Sequence, residues 1–202
     1  MRLRHGDPAA TVREVRRLFD GAGRSAASWE VSSGSTPPGL EQRLRSLGMT
    51  THEPGSMLAL ACTREPVSPI RGVTVEQVDS DDQFRQVREI FELADDWSPS
   101  EDWLRGPGHV TRYLARIDGR AVATADITWL EDERAVFLGG AVTLPEFRRR
   151  GAYRALVHAR WRDAVTAGRP LVVTQSEPMS QPILLKLGFE VVGRITVLID
   201  RW

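Results

Sequence analysis

The segment AVFLGGAVTLPEFRRRGAYRALVHARWRDAVTAGRPLVVTQ, residues 135–175, constrains the fold more than any other part of the chain. It reads as a strand, a short basic crossing, a helix and a second strand. The helix after Gly151 carries Leu156, Val157, Trp161 and Ala164 at three- and four-residue steps. The run PLVVTQ is mostly apolar, as expected of a strand covered on both faces. Such strands call for a sheet with helices packed on it.

The rest of the chain supplies the other layers. Before the segment, IRGVTVEQV alternates as a strand, and SDDQFRQVREIFELA places Phe84, Val87, Ile90, Phe91 and Ala94 on one helical face. Ser80 and Gln83 have the spacing of a capping box at that helix's start. DDWSPSEDWLRGPGH reads as a loop or broken helix with Trp97 and Trp103. VTRYLARI and AVATADITWL read as strands joined by Asp118-Gly119, a strong hairpin signal. An acidic turn, EDER, leads to the next strand. After the segment, SQPILLKLGF is a short helix ended by Gly188, and EVVGRITVLI closes the chain as one or two strands. The predicted order is β-α-β-β-β-α-β-α-β, an α/β (α+β) fold with a mixed sheet.

Composition removes several function classes. Basic and acidic residues balance at 27 each, so no global field draws the chain to nucleic acid or to an anionic membrane. Cys62 is the only cysteine, which excludes an internal disulfide and a multi-cysteine metal site. His5, His52, His109 and His158 are scattered without metal-ligand spacing, so no metal is expected. No apolar run approaches the ~20 residues of a membrane span, and the start lacks the apolar stretch of a signal peptide. A soluble cytoplasmic protein is the expectation.

Arg148-Arg149-Arg150 admits three readings: a solvated basic turn, a nucleic-acid patch, or the rim of a phosphate-holding loop. Lys186 is the one lysine among the 27 basic residues, so an arginine cluster in this chain carries little information by itself. The nucleic-acid reading lacks an accompanying basic or aromatic surface. The phosphate reading has a physical basis, because a helix N-terminus offers unpaired amides and positive dipole charge. Gly151 lets backbone pass close to a ligand, and arginines add charge-assisted contacts.

Context favours the third reading. The motif Arg148-Arg149-Arg150-Gly151-Ala152-Tyr153 follows a strand ending Thr143-Leu144-Pro145, with a hairpin before it and KLGF near the chain end. Motif, spacing and element order together resemble the GNAT superfamily of acyl-CoA-dependent N-acyltransferases over residues 70–202. The family motif is Arg/Gln-x-x-Gly-x-Gly/Ala. The resemblance implies a mixed, mostly antiparallel central sheet with helices on both faces. It also implies transfer of an acetyl or other acyl group from acetyl-CoA to a primary amine of a small-molecule or peptide acceptor. The amides of residues 148–153 would hold the CoA pyrophosphate, and the backbone of Ala141, Val142 and Thr143 would pair with the pantetheine arm like an added strand.

Three positions depart from the family pattern. Tyr153 replaces the final Gly or Ala. Leu184 stands where many members carry a general-acid tyrosine, and Glu177 where a cofactor-contacting asparagine is frequent. Ser180 is a helix N-cap or a catalytic hydroxyl, and Tyr153 packs or hydrogen-bonds near the cofactor. The strand AVFLGGAVT lacks the frequent carboxylate, leaving Asp126, Glu101 and the Asp95-Asp96 pair as base candidates, or a water chain. Trp97, Trp103 and Trp129 line an acceptor pocket or pack the core. Missing acid and strand carboxylate motivate an alternative, a non-catalytic acyl-CoA-binding or regulatory module.

Within the segment 1–66, residues 9–64 repeat the order of residues 152–202: helix, AGR, strand, prolines, a short helix ending in LG, strand. Val12, Val15, Leu18 and Phe19 mark the helix face, and Leu40, Leu44 and Leu47 that of the short helix. REPVSP reads as a linker. This segment is read as a degenerate half-copy of the same fold, followed by the acetyltransferase domain at 67–202. It is too small to bury a core alone, and packs on that domain or, in a homodimer, on a second subunit.

Overall fold

The protein is seen in a computed structural model that describes residues 7–32, 34–65, 70–130 and 134–202, with backbone alone for 53–60. The expected linker falls partly on residues 66–69 and the acidic turn on 131–133, outside the described residues. The chain runs α1 (Pro8–Gly21), β1 (Ala26–Ser32), α2 (Leu40–Ser46), β2 (Thr50–Cys62), β3 (Val73–Gln77), α3 (Asp81–Asp95) and α4 (Glu101–Arg105). It continues with β4 (Val110–Ile117), β5 (Arg120–Trp129), β6 (Ala135–Thr143), a 3-10 turn Pro145–Phe147, α5 (Ala152–Thr166), β7 (Leu171–Ser176), α6 (Gln181–Lys186) and β8 (Glu190–Arg201).

Contacts divide the chain into two units that interleave in sequence. One holds Met1–Ala59, Ser176–Gln181 and Val191–Trp202, and the other Leu60–Gln175 and Pro182–Glu190. The expected boundary lay at residues 66 and 67. Most of β8 groups with the N-terminal residues because it pairs with β1, antiparallel, from Ala26↔Arg201 to Ser32↔Ile195.

In the first unit, Asp7 caps α1 by accepting from the Ala9 amide at 3.0 Å, with Pro8 in the first helical position. Val12, Val31, Leu40, Leu44, Met49 and Leu198 form one core, with Trp29 and Leu47 against it. The expected stripe on α1 is buried only in part, since Leu18 and Phe19 are exposed. Phe19 instead meets the edge of Trp202 at 6.3 Å. Arg16 donates to both oxygens of the buried Asp200, at 2.6 and 3.0 Å.

The second unit carries the strand order β7-β6-β5-β4-β3. β3 to β6 pair antiparallel, and β6 pairs β7 in parallel. The β4–β5 hairpin turns at Asp118 (φ 51) and Gly119 (φ 81), the doubly positive pair that a type I′ turn requires. Ser80 and Gln83 form the capping box that opens α3. Adjacent residues of β4 show the two covered faces, because successive side chains in a strand point to opposite sides. The Tyr113 hydroxyl donates to Asp163 of α5 at 2.9 Å, whereas Leu114 packs with Val87, Ile90 and Phe91 of α3. Helices therefore cover both faces, as expected. Among the described residues, no helix is long and apolar enough to cross a membrane.

Candidate functional site

β6 and β7 keep register only from Ala135↔Leu171 to Leu138↔Thr174. The Thr174 hydroxyl donates to the Leu138 carbonyl at 2.8 Å, at the last pair. β6 then runs on to Thr143 with no registered strand on that side among the described residues. It also bulges at this point. Asp126 pairs with Gly139 and Thr124 with Val142, so Gly140 and Ala141 together stand opposite Ala125. Gly140 has φ 57, and a Cβ built on it would lie 2.7 Å from Asp126 Oδ2. A carboxylate from β5 thus occupies the space that a side chain at residue 140 would take.

The free edge of β6 leads into the arginine loop. Arg148 Nε donates to the Thr143 carbonyl at 3.4 Å, tying loop to strand end. Arg150 leans away: its guanidinium lies 5.1 Å from the Phe147 ring centre and 3.6 Å from Asp118. Arg120 also stacks on Phe147, at 4.9 Å. Gly151 starts α5 without a side-chain cap, and the first helical bond runs from the Ala155 amide to the Gly151 carbonyl at 3.0 Å. The amides of Ala152, Tyr153 and Arg154 thus precede the helical ladder, as an anion site requires. Packing adds a second reason for the glycine. Gly151 has φ 93, and a Cβ there would lie 2.6 Å from Ile70 Cγ2, so packing demands the glycine.

Asp126 is the candidate base that the structure brings to the bulge. It is buried, and Arg112 NH1 donates to its two oxygens at 2.7 and 2.6 Å. Arg112 is fixed in turn by the carbonyls of Trp103 and Leu104, with its guanidinium 3.8 Å from the Trp103 ring centre. Burial pushes the Asp126 carboxyl up to about 6, against the pull of Arg112. From α5, buried Arg160 donates to the main-chain carbonyls of Asp126 at 2.7 Å and Gly139 at 3.2 Å. Sequence reasoning missed both arginines. The one available signal for Arg160 was its place on the apolar face of a helix, next to Leu156 and Ala164 in the helical wheel.

The other expectations fall elsewhere. Glu101 is engaged by Arg88 and Arg105, at 2.8 and 2.9 Å. Asp96 ends α3 in a left-handed conformation. Trp97, Trp103 and Phe91 pack edge to face at 4.7 to 5.2 Å, and the Trp129 indole donates to Thr111 at 2.9 Å. Tyr153 sits in the first turn of α5, where burial raises its phenol. The Ser180 hydroxyl donates to the Glu177 carbonyl at 3.2 Å, a local turn contact. Leu184 is buried, 1% exposed, and is packing material. No group of three metal-ligating side chains gathers among the described residues.

The model of the Acetyltransferase (GNAT) family matches residues 76–189. An aminoglycoside N(6')-acetyltransferase type 1 of Salmonella typhimurium is 30% identical over 97 residues, covering 43% of this chain and 67% of the relative. A GCN5-related N-acetyltransferase from Kribbella flavida superposes with a TM-score of 0.73 at 25% identity, over 96% of this chain and 76% of its own. An aminoglycoside N-acetyltransferase, AAC(6')-Iy, in complex with CoA superposes at 0.50 and 25% identity, over 58% of this chain and 88% of its own.

Proposed function

Because the chain belongs to the GNAT acetyltransferase family and transfers an acetyl group from acetyl-CoA to an amine, we propose that the free edge of β6 and the N-terminus of α5 form its acetyl-CoA site. One observation carries this reading: after Leu138 β6 has no registered neighbour on its β7 side among the described residues, and the chain then reaches a helix start with no side-chain cap. Residues 148–153 would hold the pyrophosphate, with Arg148, Arg149 and Arg150 at the rim and the amides of Gly151, Ala152 and Tyr153 beneath. The backbone of Ala141, Val142 and Thr143 would receive the pantetheine arm. Acetyl-CoA supplies an activated thioester carbonyl.

Asp126 is the proton acceptor in this reading. With its carboxyl at about 6 it is ionised at neutral pH, and each oxygen keeps a lone pair beyond its bond to Arg112. Leu184 offers no proton, so no general acid is assigned. The acceptor is a primary amine of a small molecule, and the aminoglycosides of the named relatives head the test panel, with peptide amines as its second arm. Residues 1–66 are a degenerate half-copy, supported by the order α1-β1-α2-β2 repeating α5-β7-α6-β8. Balanced charge supports a cytoplasmic enzyme without a nucleic-acid or membrane partner.

Calorimetry with acetyl-CoA and thiol release with the amine panel test the reading. Arg148→Ala weakens acetyl-CoA about fivefold, the equivalent of ~1 kcal/mol for an exposed charge. Gly151 is a poor probe, since any side chain there meets Ile70. Unchanged affinity in Arg148→Ala removes Arg148 from the site. Binding without thiol release from any amine removes the assignment of Asp126.

A further inference from the structure

We propose that Arg160 is a positioning residue that fixes the β6 bulge in the shape the acetyl-CoA site uses. The proposal rests on the cofactor reading above and adds a residue outside the strand and loop assigned there. Arg160 lies on the buried face of α5 and is 1% exposed. Its hydrogen bonds to described residues run to three main-chain carbonyls: Leu156 at 3.0 Å, Asp126 at 2.7 Å and Gly139 at 3.2 Å. One guanidinium nitrogen therefore bridges β5 and β6 at the register pair Asp126↔Gly139, the pair from which the bulge begins.

A buried guanidinium is a costly way to fill space. An apolar side chain of similar volume would occupy the site without desolvating a charge. What it would lack is a donor for two carbonyls where the bulge interrupts the ladder. Arg160 supplies that donor from the α5 face. From the opposite face, Arg112 holds the Asp126 carboxylate against Gly140. Main chain and side chain of one residue are thus fixed from two sides, and so is the path of residues 140–143, which rejoin β5 at Thr124↔Val142 beyond the last pair with β7. Without Arg160 the two carbonyls lose their shared donor, and the bulge gains freedom where β6 must meet the cofactor.

Full-length Arg160→Met and Arg160→Lys, compared with wild type, decide the matter. The readouts are acetyl-CoA affinity by calorimetry, steady-state constants for both substrates, and hydrogen exchange of the β6 peptide. Arg160→Met is expected to raise Kd and KM for acetyl-CoA about tenfold while the acceptor KM stays within about twofold, because misplacement of the binding edge acts on one substrate. Exchange speeds up across residues 139–143. Arg160→Lys, whose ammonium reaches for the same carbonyls, recovers most of the affinity. A folded Met variant with wild-type affinity and exchange overturns the proposal, as does a folded Lys variant as impaired as Met. If Met does not fold, Arg160→Gln takes its place: a loss of acetyl-CoA affinity larger than that of Lys supports the role, and no loss overturns it. Wild-type protein that fails to bind acetyl-CoA overturns the cofactor reading itself, a result no Arg160 variant can mimic.

Discussion

Gly140→Ala tests the bulge at its tightest point. The residue has φ 57, which costs an alanine about 1–2 kcal/mol. The added Cβ would lie 2.7 Å from Asp126 Oδ2 and 3.0 Å from its Cγ, closer than packed atoms tolerate. The carboxylate is not free to step aside, because Arg112 holds both oxygens at 2.6 and 2.7 Å. If it deflects while keeping the pair, the total is about 2–3 kcal/mol; if the buried pair breaks, another ~3 kcal/mol is lost. Gly119→Ala is the control. That residue has φ 81 with no atom within 4 Å of the missing Cβ, so it reports backbone strain alone. Urea denaturation of both variants isolates the contact, and Gly140→Ala should be the less stable by at least ~1 kcal/mol. Its kcat/KM should fall as well, because the displaced carboxylate is the proposed proton acceptor. Equal stabilities would refute the reasoning, since the clash would then be relieved at no cost.

Two further outcomes follow from buried carboxylates. For Asp126, kcat/KM should rise through about pH 6 as the carboxyl ionises, and Asp126→Asn should remove that limb and lower the rate by ~10²–10⁴. The same shift has a stability sign: the folded state holds the proton more tightly than the ordinary 3.8, so its contribution is full at low pH and lost as pH rises from about 4 to 6. That loss is of order ~3 kcal/mol and disappears in Asp126→Asn, as acid-range denaturation can measure. In the other unit, Arg16→Ala strips the buried Asp200 of its two short hydrogen bonds. It should cost about 3 kcal/mol by urea denaturation, with Asp200→Asn in the same chain recovering part of it.

The fold was legible where local chemistry and periodicity agreed. Asp118-Gly119 predicts a hairpin, and both residues have the positive φ of its turn. Ser80 and Gln83 predict a capping box, and both halves of it form. The helix face marked by Val12, Val15, Leu18 and Phe19 falls on α1, Pro8–Gly21. The broken-helix reading of residues 95–109 holds one helix, α4, and a left-handed Asp96. The candidate site was legible in part: the arginine-glycine motif and the strand before it are contiguous, and Asp126 was one of several base candidates. Arg112, Asp126 and Arg160 come from three elements, and no spacing in the sequence links them. Arginine is also so common in this chain that a single one on an apolar helix face carries no signal until its burial is known. The packing constraint on Gly151 was not legible for a related reason, since Ile70, its packing partner, lies 81 residues earlier, a separation no local pattern reports.

The carboxylate missing from β6 and the double glycine in β6 are two sides of one arrangement. A side chain at residue 140 would stand where Asp126 Oδ2 stands, so β5 can present its carboxylate at the bulge only if β6 gives up a Cβ there. Giving it up also frees the backbone to adopt φ 57 and leave the ladder beside Leu138, the last residue paired with β7. The same substitution thus clears room for the proposed proton acceptor and turns the strand edge toward the proposed cofactor. The cost is a carboxylate in a buried place, which burial alone would keep protonated well above its ordinary range. Arg112 counters that from the α4 side, seated on Trp103 and two carbonyls, so that Asp126 is ionised at neutral pH. Of the tryptophans in that region, Trp103 is the one that contacts Arg112. Trp103 stacks on the arginine that pairs with the proposed proton acceptor, so a change there should act through the pH dependence of Asp126 rather than through acceptor affinity.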